Sequence, residues 1–336
     1  MASELVLAAD QLLPEGAPGE VEVLCRRGAR PLQLRRITQH RAGLLDADAW
    51  EQLELPALAR GRLLVNLCNM APLASRGGIT AIHDAHVFLM PGSHTPSYAA
   101  WYRFALPRVA ARAERLFTVS EFSRRTLVDN GVAAEDRISV IPNGSDHLDA
   151  TRPDPSIIWR LGLQGRPFVV ALANAQSHKN IGVLLEAFRS PAAQPFMLVL
   201  IGPHGPGHFI AKGHRLPERA VFAGVVADAE LKALYEAAVC MATPSLLEGF
   251  GLCAAEAMSL GCPVIASPRA ALPEVCGEAA LYADPHDPDA WTAHIRRLAE
   301  DGEARAQAIE RGLQRARAMR WNDSARKLLE LIATVA

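Results

Sequence analysis

The hydrophobic positions of this chain fall into short apolar runs separated by amphipathic stretches. In the first half the runs occupy residues 21–24, 63–67, 79–82, 116–119 and 138–141, and residues 98–113 and 121–130 show helical spacing between them. Strands alternating with helices predict a parallel sheet covered on both faces. Thr151-Arg152-Pro153-Asp154-Pro155 breaks the pattern as a linker would. It resumes with apolar runs at 168–172, 197–201, 221–225, 239–243 and 264–267. The expectation is α/β with two doubly wound domains, 1–150 and 166–316, a linker at 151–165, and a C-terminal segment, 317–336, packing back toward the first domain. In that segment Ala325, Leu328, Leu329 and Ile332 recur at helical spacing over 322–335, with Asn322 or Asp323 available as the cap.

Length and composition fit this picture. A chain of 336 residues exceeds one ordinary core, and 50% hydrophobic residues supply enough material for two. A net charge of −1 argues against a nucleic-acid partner. The six cysteines show no paired spacing and lie in apolar runs, so reduced, buried thiols and a cytoplasmic setting are expected. No run approaches the roughly 20 apolar residues of a membrane span, and no basic-then-apolar leader opens the chain.

Ligands of open parallel sheets bind beyond the carboxyl ends of the strands. One such loop reads "SLLEGFGLCAAEAMSLGCPVIAS", from Ser245 to Ser267. Pro244 ends the preceding run, Glu248-Gly249-Phe250-Gly251 forms the loop, and a helix is expected from Leu252. Glycines let a backbone approach a ligand closely, and the amides of a helix start favour an anion. Glu248 and Glu256 offer acceptors for sugar hydroxyls, and a buried glutamate needs such a partner. Each glutamate taken alone reads more readily as a surface residue, Glu248 in a loop and Glu256 on a wet helix face.

The stretch "EGFGLCAAEAMSLGCPVIAS" resembles the Glu–seven residues–Glu signature of the family-four retaining glycosyltransferases (group 1, mannosyltransferase-like). "SHKNIGVLLEAF", "LVLIGP", "VFAGVVADAELKALYEAA" and "ALPEVCGEAALYADPHDPDAW" follow that family's order. "ITAIHDAHVF", "LFTVSEFSRRTLVDNG" and "ISVIPNGSDH" are similar to segments of its first domain. The resemblance implies the GT-B fold, two Rossmann-like domains facing a cleft. It implies transfer of a hexose such as mannose from a nucleotide sugar, GDP-mannose or a UDP-sugar, to a glycan or lipid-linked saccharide, with no further cofactor. It places Glu248 on the donor sugar, Glu256 on the ribose, and Lys179 on the diphosphate, whose growing charge a fixed cation stabilises. The Gly249, Phe250, Gly251 and Leu252 region would bind sugar hydroxyls and phosphate, with His178 and Val226 also on the donor. His83 would lie beside the reacting sugar. In the family mechanism the leaving phosphate helps deprotonate the acceptor, so no protein nucleophile is needed.

The sequence departs from that pattern in places. Family members carry basic residues where this chain has His178 and Ala173 or Asn174, so His178 is expected to share the diphosphate. "ASELVLAADQLL" reads as the end of a helix, and the strand and glycine-rich turn that should open the first domain are missing ahead of residue 21; the domain is expected to be shortened or to start upstream of Met1. "DAD" at Asp46–Asp48 looks like a metal motif, but it precedes a helical run and reads as a cap, so no metal is expected. Ser120 and Glu121 read as a helix cap, Asp84 as a cap or a support for His83, and Asn143-Gly144 as a turn. In "SYAAWYRFALPRVAARAERLF", Trp101, Tyr102 and Phe104 mix with Arg103, Arg108, Arg112 and Arg115. Peripheral contact with an anionic membrane and a core-facing helix with wet arginines both remain open. So do a non-catalytic sugar-nucleotide-binding protein and an epimerase on the same fold.

Overall fold

The computed structural model describes residues 1–14, 21–174 and 176–335. The chain forms two compact units, residues 1–144 with 320–336, and residues 145–319. Residues 145–165, read from the sequence as a domain end and linker, group with the second unit. Lys232 Nζ donates there to the carbonyls of Leu148 (3.1 Å) and Asp149 (3.0 Å). No helix among the described residues is long and apolar enough to cross a membrane.

The first unit contains strands β1 (Glu22–Cys25), β2 (Thr38–Arg41), β3 (Val65–Asn66), β4 (Ile79–Ala81), β5 (Arg115–Thr118) and β6 (Ile138–Val140). They form two separate parallel sheets, β1-β2 and β3-β4-β5-β6. As the sequence predicts, a helix, Ala2–Leu12, precedes the first described strand. It packs against the C-terminal helix Trp321–Ala333. Its Asp10 is buried and accepts the amides of Arg35 (2.9 Å), Arg36 (2.7 Å) and Ile37 (2.7 Å), which fixes the entry into β2. Burial pushes that carboxyl up, but the three amides outweigh it and hold it below the usual value. β2 is missing from the sequence reading because "TQHR" is polar and mostly exposed.

The helix Pro96–Arg112 lays Trp101 and Tyr102 against the core around Leu116 and Ile138, the core-facing arrangement. Phe104 remains exposed, with the Arg108 guanidinium 3.6 Å over its ring. The C-terminal helix starts one residue before Asn322, and neither Asn322 nor Asp323 caps it; the N-cap position is Arg320, without a side-chain bond. Asn143-Gly144 is not a turn either. Gly144 passes so close to Trp321 that an added Cβ would lie 2.2 Å from its backbone nitrogen, and this approach is what requires glycine.

The second unit contains β7 (Phe168–Leu172), β8 (Met197–Ile201), β9 (Ala220–Gly224), β10 (Cys240–Thr243), β11 (Val264–Ala266) and β12 (Ala280–Tyr282) in one parallel sheet. The order is β12-β11-β10-β7-β8-β9. β7, β8, β10 and β11 are buried almost throughout, as strands covered on both faces must be. This is the doubly wound order, with its reversal between β7 and β10. Of the six cysteines only Cys240, Cys262 and Cys276 are buried. Cys68 is exposed where the chain leaves β3, which corrects the expectation of six buried thiols.

Candidate active site

The strand order decides which loops can form a site in the second unit. At the reversal point the loops leaving β7 and β10 diverge to opposite faces and open a crevice beyond the strand ends. The β7 loop carries His178 and Lys179 in a short turn, Ser177–Lys179. The β10 loop carries Glu248 to Gly251. The two loops are bound together: the Leu246 amide donates to the His178 carbonyl at 2.7 Å. Asn180 Nδ2 donates to the carbonyls of Pro244 (3.2 Å) and Pro285 (2.7 Å). Asn180 adopts a left-handed backbone, φ 50°, which Asn tolerates better than most residues. It turns the chain sharply into the helix beginning at Ile181 and so fixes where Lys179 points.

Lys179 Nζ lies 2.6 Å from Glu248 Oε1, and both side chains are largely shielded from solvent. Burial pushes the Glu248 carboxyl up. The Lys179 charge and hydrogen bond, with help from Ser245 and His178, outweigh it and hold the group below the usual glutamate value. Glu248 is therefore ionised at neutral pH. His178 is buried and adds positive potential beside it.

Gly251 has φ +96° and occupies the N-cap of the helix Leu252–Ser259. A Cβ there would meet Leu272 Cδ2 at 2.7 Å, so the left-handed turn and the tight packing both call for glycine. The Gly251 carbonyl accepts from the Ala254 amide at 3.0 Å, and Phe250 is buried beneath the loop. The first amides of this helix, Leu252 among them, lie where an anion is favoured. Glu256, one turn in, is 6% exposed. Burial, with the Asp228 charge, raises its carboxyl to about 7. Its Oε1 lies 3.4 Å from His147 Nε2. His147 ends the segment "ISVIPNGSDH", but nothing in that resemblance marks it as the neighbour of Glu256, which lies 109 positions further along the chain. Val226, partly buried, sits in the loop leaving β9, at the same edge of the sheet.

His83 belongs to the first unit, at the carboxyl end of β4. Its ring Nε2 is 2.8 Å from the Leu67 carbonyl, and its amide donates to Asn69 Oδ1 at 2.7 Å. That contact sets the tautomer with the proton on Nε2, leaving Nδ1 as an acceptor. Nδ1 is buried and makes no hydrogen bond among the described residues. Burial holds the His83 pKa below its usual value against the Leu67 carbonyl and Asp84. Asp84 caps the next turn, accepting the His86 amide at 3.0 Å, and among the described residues makes no hydrogen bond to His83. Ser120 caps its helix through the Ser123 amide at 3.0 Å, as the sequence indicates. Asp46 pairs with Arg26 at 3.0 Å and makes no cap bond. At the positions where the resemblance implies a basic residue, Ala173 is buried with its carbonyl against Gly202, and Asn174 bonds Gln176 at 3.0 Å.

Comparison with known proteins is consistent with this geometry. Residues 154–315 match the family described as glycosyl transferases group 1, and residues 15–147 match glycosyltransferase family 4. The O-antigen chain mannosyltransferase B of Escherichia coli is 32% identical over 257 residues, covering 73% of this chain and 67% of the relative. A D-inositol 3-phosphate glycosyltransferase of Salinispora tropica is 32% identical over 76% of this chain and 59% of its own length. The chain thus spans about two thirds or less of these curated relatives. Among solved structures, sucrose-phosphate synthase from Thermosynechococcus elongatus superposes with TM-score 0.75 at 20% identity, covering 98% of this chain and 91% of that one. WaaG, a glycosyltransferase of lipopolysaccharide biosynthesis, gives 0.72 at 15%, covering 98% and 94%. Anabaena HepE, solved with UDP-glucose, gives 0.63 at 20%, covering 76% and 72%. The α/β fold with its parallel sheets is that of the GT-B glycosyltransferases.

Proposed function

The chain belongs to the group 1 glycosyltransferases, and on that premise we propose that it transfers a hexose, mannose first among candidates, from a nucleotide sugar to a glycan or lipid-linked saccharide with retention of configuration. The observation that carries this reading is the Lys179–Glu248 pair at the reversal point of the β7–β12 sheet, beside the glycine-capped helix Leu252–Ser259. The pair offers one cation and one hydroxyl acceptor within a single contact. Lys179 takes the diphosphate, whose charge grows as the glycosidic bond breaks. Glu248 takes donor-sugar hydroxyls, and Glu256 takes the ribose. His178 and the Leu252 region complete the anion site, and Val226 borders the donor. His83 Nδ1 accepts a hydroxyl of the reacting sugar.

The leaving phosphate accepts the acceptor's proton, and Lys179 with the helix amides meets the leaving-group charge without a metal. The O-antigen relative supports mannose and a saccharide acceptor. Phe104, exposed beneath Arg108, supports contact with a lipid-linked one. The test is transfer from GDP-mannose and from UDP-glucose to a mannosylated acceptor with excess EDTA, with the product anomer read by NMR. An α-linked product formed under EDTA is expected. Loss of transfer restored by manganese, or an inverted anomer, refutes the mechanism; no transfer from any nucleotide sugar refutes the activity.

A further inference from the structure

β3 and β4 pair in parallel, so the loops that follow Asn66 and Ala81 leave the same end of their sheet, the end where open sheets bind ligands. His83 stands on the second loop and is bonded through its ring to Leu67 and through its amide to Asn69 of the first. Gln52 holds the far side of that first loop. Its Nε2 donates to the Ala71 carbonyl at 3.0 Å, and its Oε1 accepts the Leu73 amide at 2.9 Å. The same Nε2 donates to Glu51 Oε1 at 3.0 Å. One loop is therefore tied to His83 at its start and to the Glu51–Gln52 pair at its end.

The local backbone explains how Glu51 comes to stand there. Pro56 has no amide to offer the Gln52 carbonyl, and the helical stretch widens into a π turn over Trp50–Glu54, in which the Leu55 amide reaches the Trp50 carbonyl. Glu51 is half-buried, and among the described residues Gln52 is its one hydrogen-bond partner and no cation pairs with it. Burial raises its carboxyl to about 7 against the Gln52 bond, with a further push from the Asp48 charge. Two tyrosines stand nearby, one turn apart on the helix Pro96–Arg112. The Tyr98 and Tyr102 rings stack with centroids 4.2 Å apart, and His94 stacks on Tyr98 at 5.0 Å. Tyr98 lies between the two rings, so the 40% of it that is exposed is its edge and hydroxyl. Burial raises the Tyr102 phenol, its hydrogen bond with Tyr98 adds to this, and the Asp48 and Glu51 charges act in the same direction.

A carboxylate only accepts hydrogen bonds, whereas a phenol both donates and accepts. Together they match neighbouring hydroxyls of a neutral polyol, which give protons to the carboxylate and take them from the phenols. Phosphate is repelled by Glu51 and Asp48, and a hydrocarbon would leave the half-buried carboxylate without donors. No group of three or more metal-binding side chains occurs among the described residues. We infer that Glu51, with the hydroxyls of Tyr98 and Tyr102, binds hydroxyl groups of the saccharide acceptor. This rests on the proposed transfer to a saccharide and names the residues that hold the acceptor.

The test compares Glu51→Gln and Tyr102→Phe with the parent, each checked by circular dichroism. Soluble oligosaccharides of mannose, glucose, galactose and N-acetylglucosamine are titrated without donor by saturation-transfer NMR, and GDP and UDP by calorimetry. At least one oligosaccharide is expected to bind the parent. Glu51→Gln should raise its Kd, and its KM as acceptor, by about tenfold or more, the loss of a charged hydrogen bond. The KM of the nucleotide sugar and the Kd of the diphosphate should not move. Tyr102→Phe removes one hydroxyl and keeps the stacked rings, so the acceptor KM should rise about threefold; this variant decides the matter if Glu51→Gln fails to fold. Binding of no oligosaccharide, acceptor constants unchanged in the folded variants, or a loss of diphosphate affinity in either would overturn the inference. Oligosaccharide binding that depends on Glu51, with no transfer from any nucleotide sugar, refutes the transferase and leaves the saccharide site standing. Transfer with an acceptor KM indifferent to Glu51 does the reverse.

Discussion

Lys179 Nζ and Glu248 Oε1 are 2.6 Å apart, so the cation and the carboxylate assigned to the two halves of the donor neutralise one another. A diphosphate entering the site competes with Glu248 for Lys179 and is repelled by the carboxylate. Glu248→Gln removes that competition while keeping the side-chain size. The expected outcome is tighter binding of the nucleoside diphosphate, by up to about tenfold, with turnover of the nucleotide sugar reduced about 100-fold, since contacts that strengthen in the transition state appear in the rate. Calorimetry with the diphosphate and a rate measurement on the same protein check it; weaker diphosphate binding in this variant contradicts the competition.

Lys179→Met has the opposite signature. It removes the diphosphate's cation, and nothing basic stands at Ala173 or Asn174 to replace it. Diphosphate affinity should fall by about 1.5–3 kcal/mol, the range of a charged hydrogen bond. Glu248 then loses the charge that holds its carboxyl down and, being buried, should titrate above the usual glutamate value. Titration calorimetry and a pH-dependent thermal melt measure the two effects; unchanged affinity removes Lys179 from the anion site.

Gly251→Ala tests the loop that carries this arrangement. A left-handed backbone costs a residue with a Cβ about 1–2 kcal/mol, and Leu272 adds a clash at 2.7 Å. The Tm should fall by about 4–8 °C for a unit of this size. Diphosphate affinity should drop at least tenfold in the protein that remains folded, as seen by calorimetry after circular dichroism confirms the fold.

Much of this architecture was readable from hydrophobic runs, because strands buried on both faces cannot hide their composition. β7 and β8 occupy the residues of their apolar runs. β12, Ala280–Tyr282, escaped because three residues inside "EAALYADP" carry no strand signal of their own. The site residues stand in readable motifs, but the pairing between them does not. Lys179 and Glu248 are 69 positions apart, and only the sheet order, which places β7 beside β10, brings their loops together. His147 and Glu256 meet because the short turn Asp146–Leu148 packs against the helix Leu252–Ser259, which local spacing does not show either. Three-dimensional neighbours across a parallel sheet leave no trace in local spacing.

His83→Ala should lower turnover about 100-fold with little change in diphosphate affinity, because Nδ1 is proposed to meet the sugar and not the nucleotide. Asn at this position keeps an acceptor near Nδ1 and should restore part of the rate. Since burial holds His83 below its usual pKa, the ring stays neutral, and the rate profile should show no loss of activity on raising pH through 6.5. A profile that falls there, with the fall abolished in His83→Ala, contradicts a neutral acceptor.

Glu256 gives the sharpest pH prediction. Its folded carboxyl titrates at about 7, against 4.5 for the free group, so the folded state keeps a proton that the unfolded chain has already lost. Raising pH from about 4.5 through about 7 therefore removes stability, since the unfolded state binds fewer protons across that window. Ribose binding runs the other way: two hydroxyl donors favour the ionised carboxylate, so binding expels the proton and diphosphate affinity rises as pH passes 7. His147, 3.4 Å away, assists the ionised form when it carries a proton itself. Glu256→Gln cannot ionise. It should weaken diphosphate binding by about 1–3 kcal/mol at pH 8, flatten the dependence between pH 6 and 8, and raise the Tm at pH 8 relative to the parent. Calorimetry in two buffers of different ionisation heat reads the released proton directly. Proton release at pH 6.5 that persists in Glu256→Gln would assign the titration to another group and take Glu256 out of the ribose site.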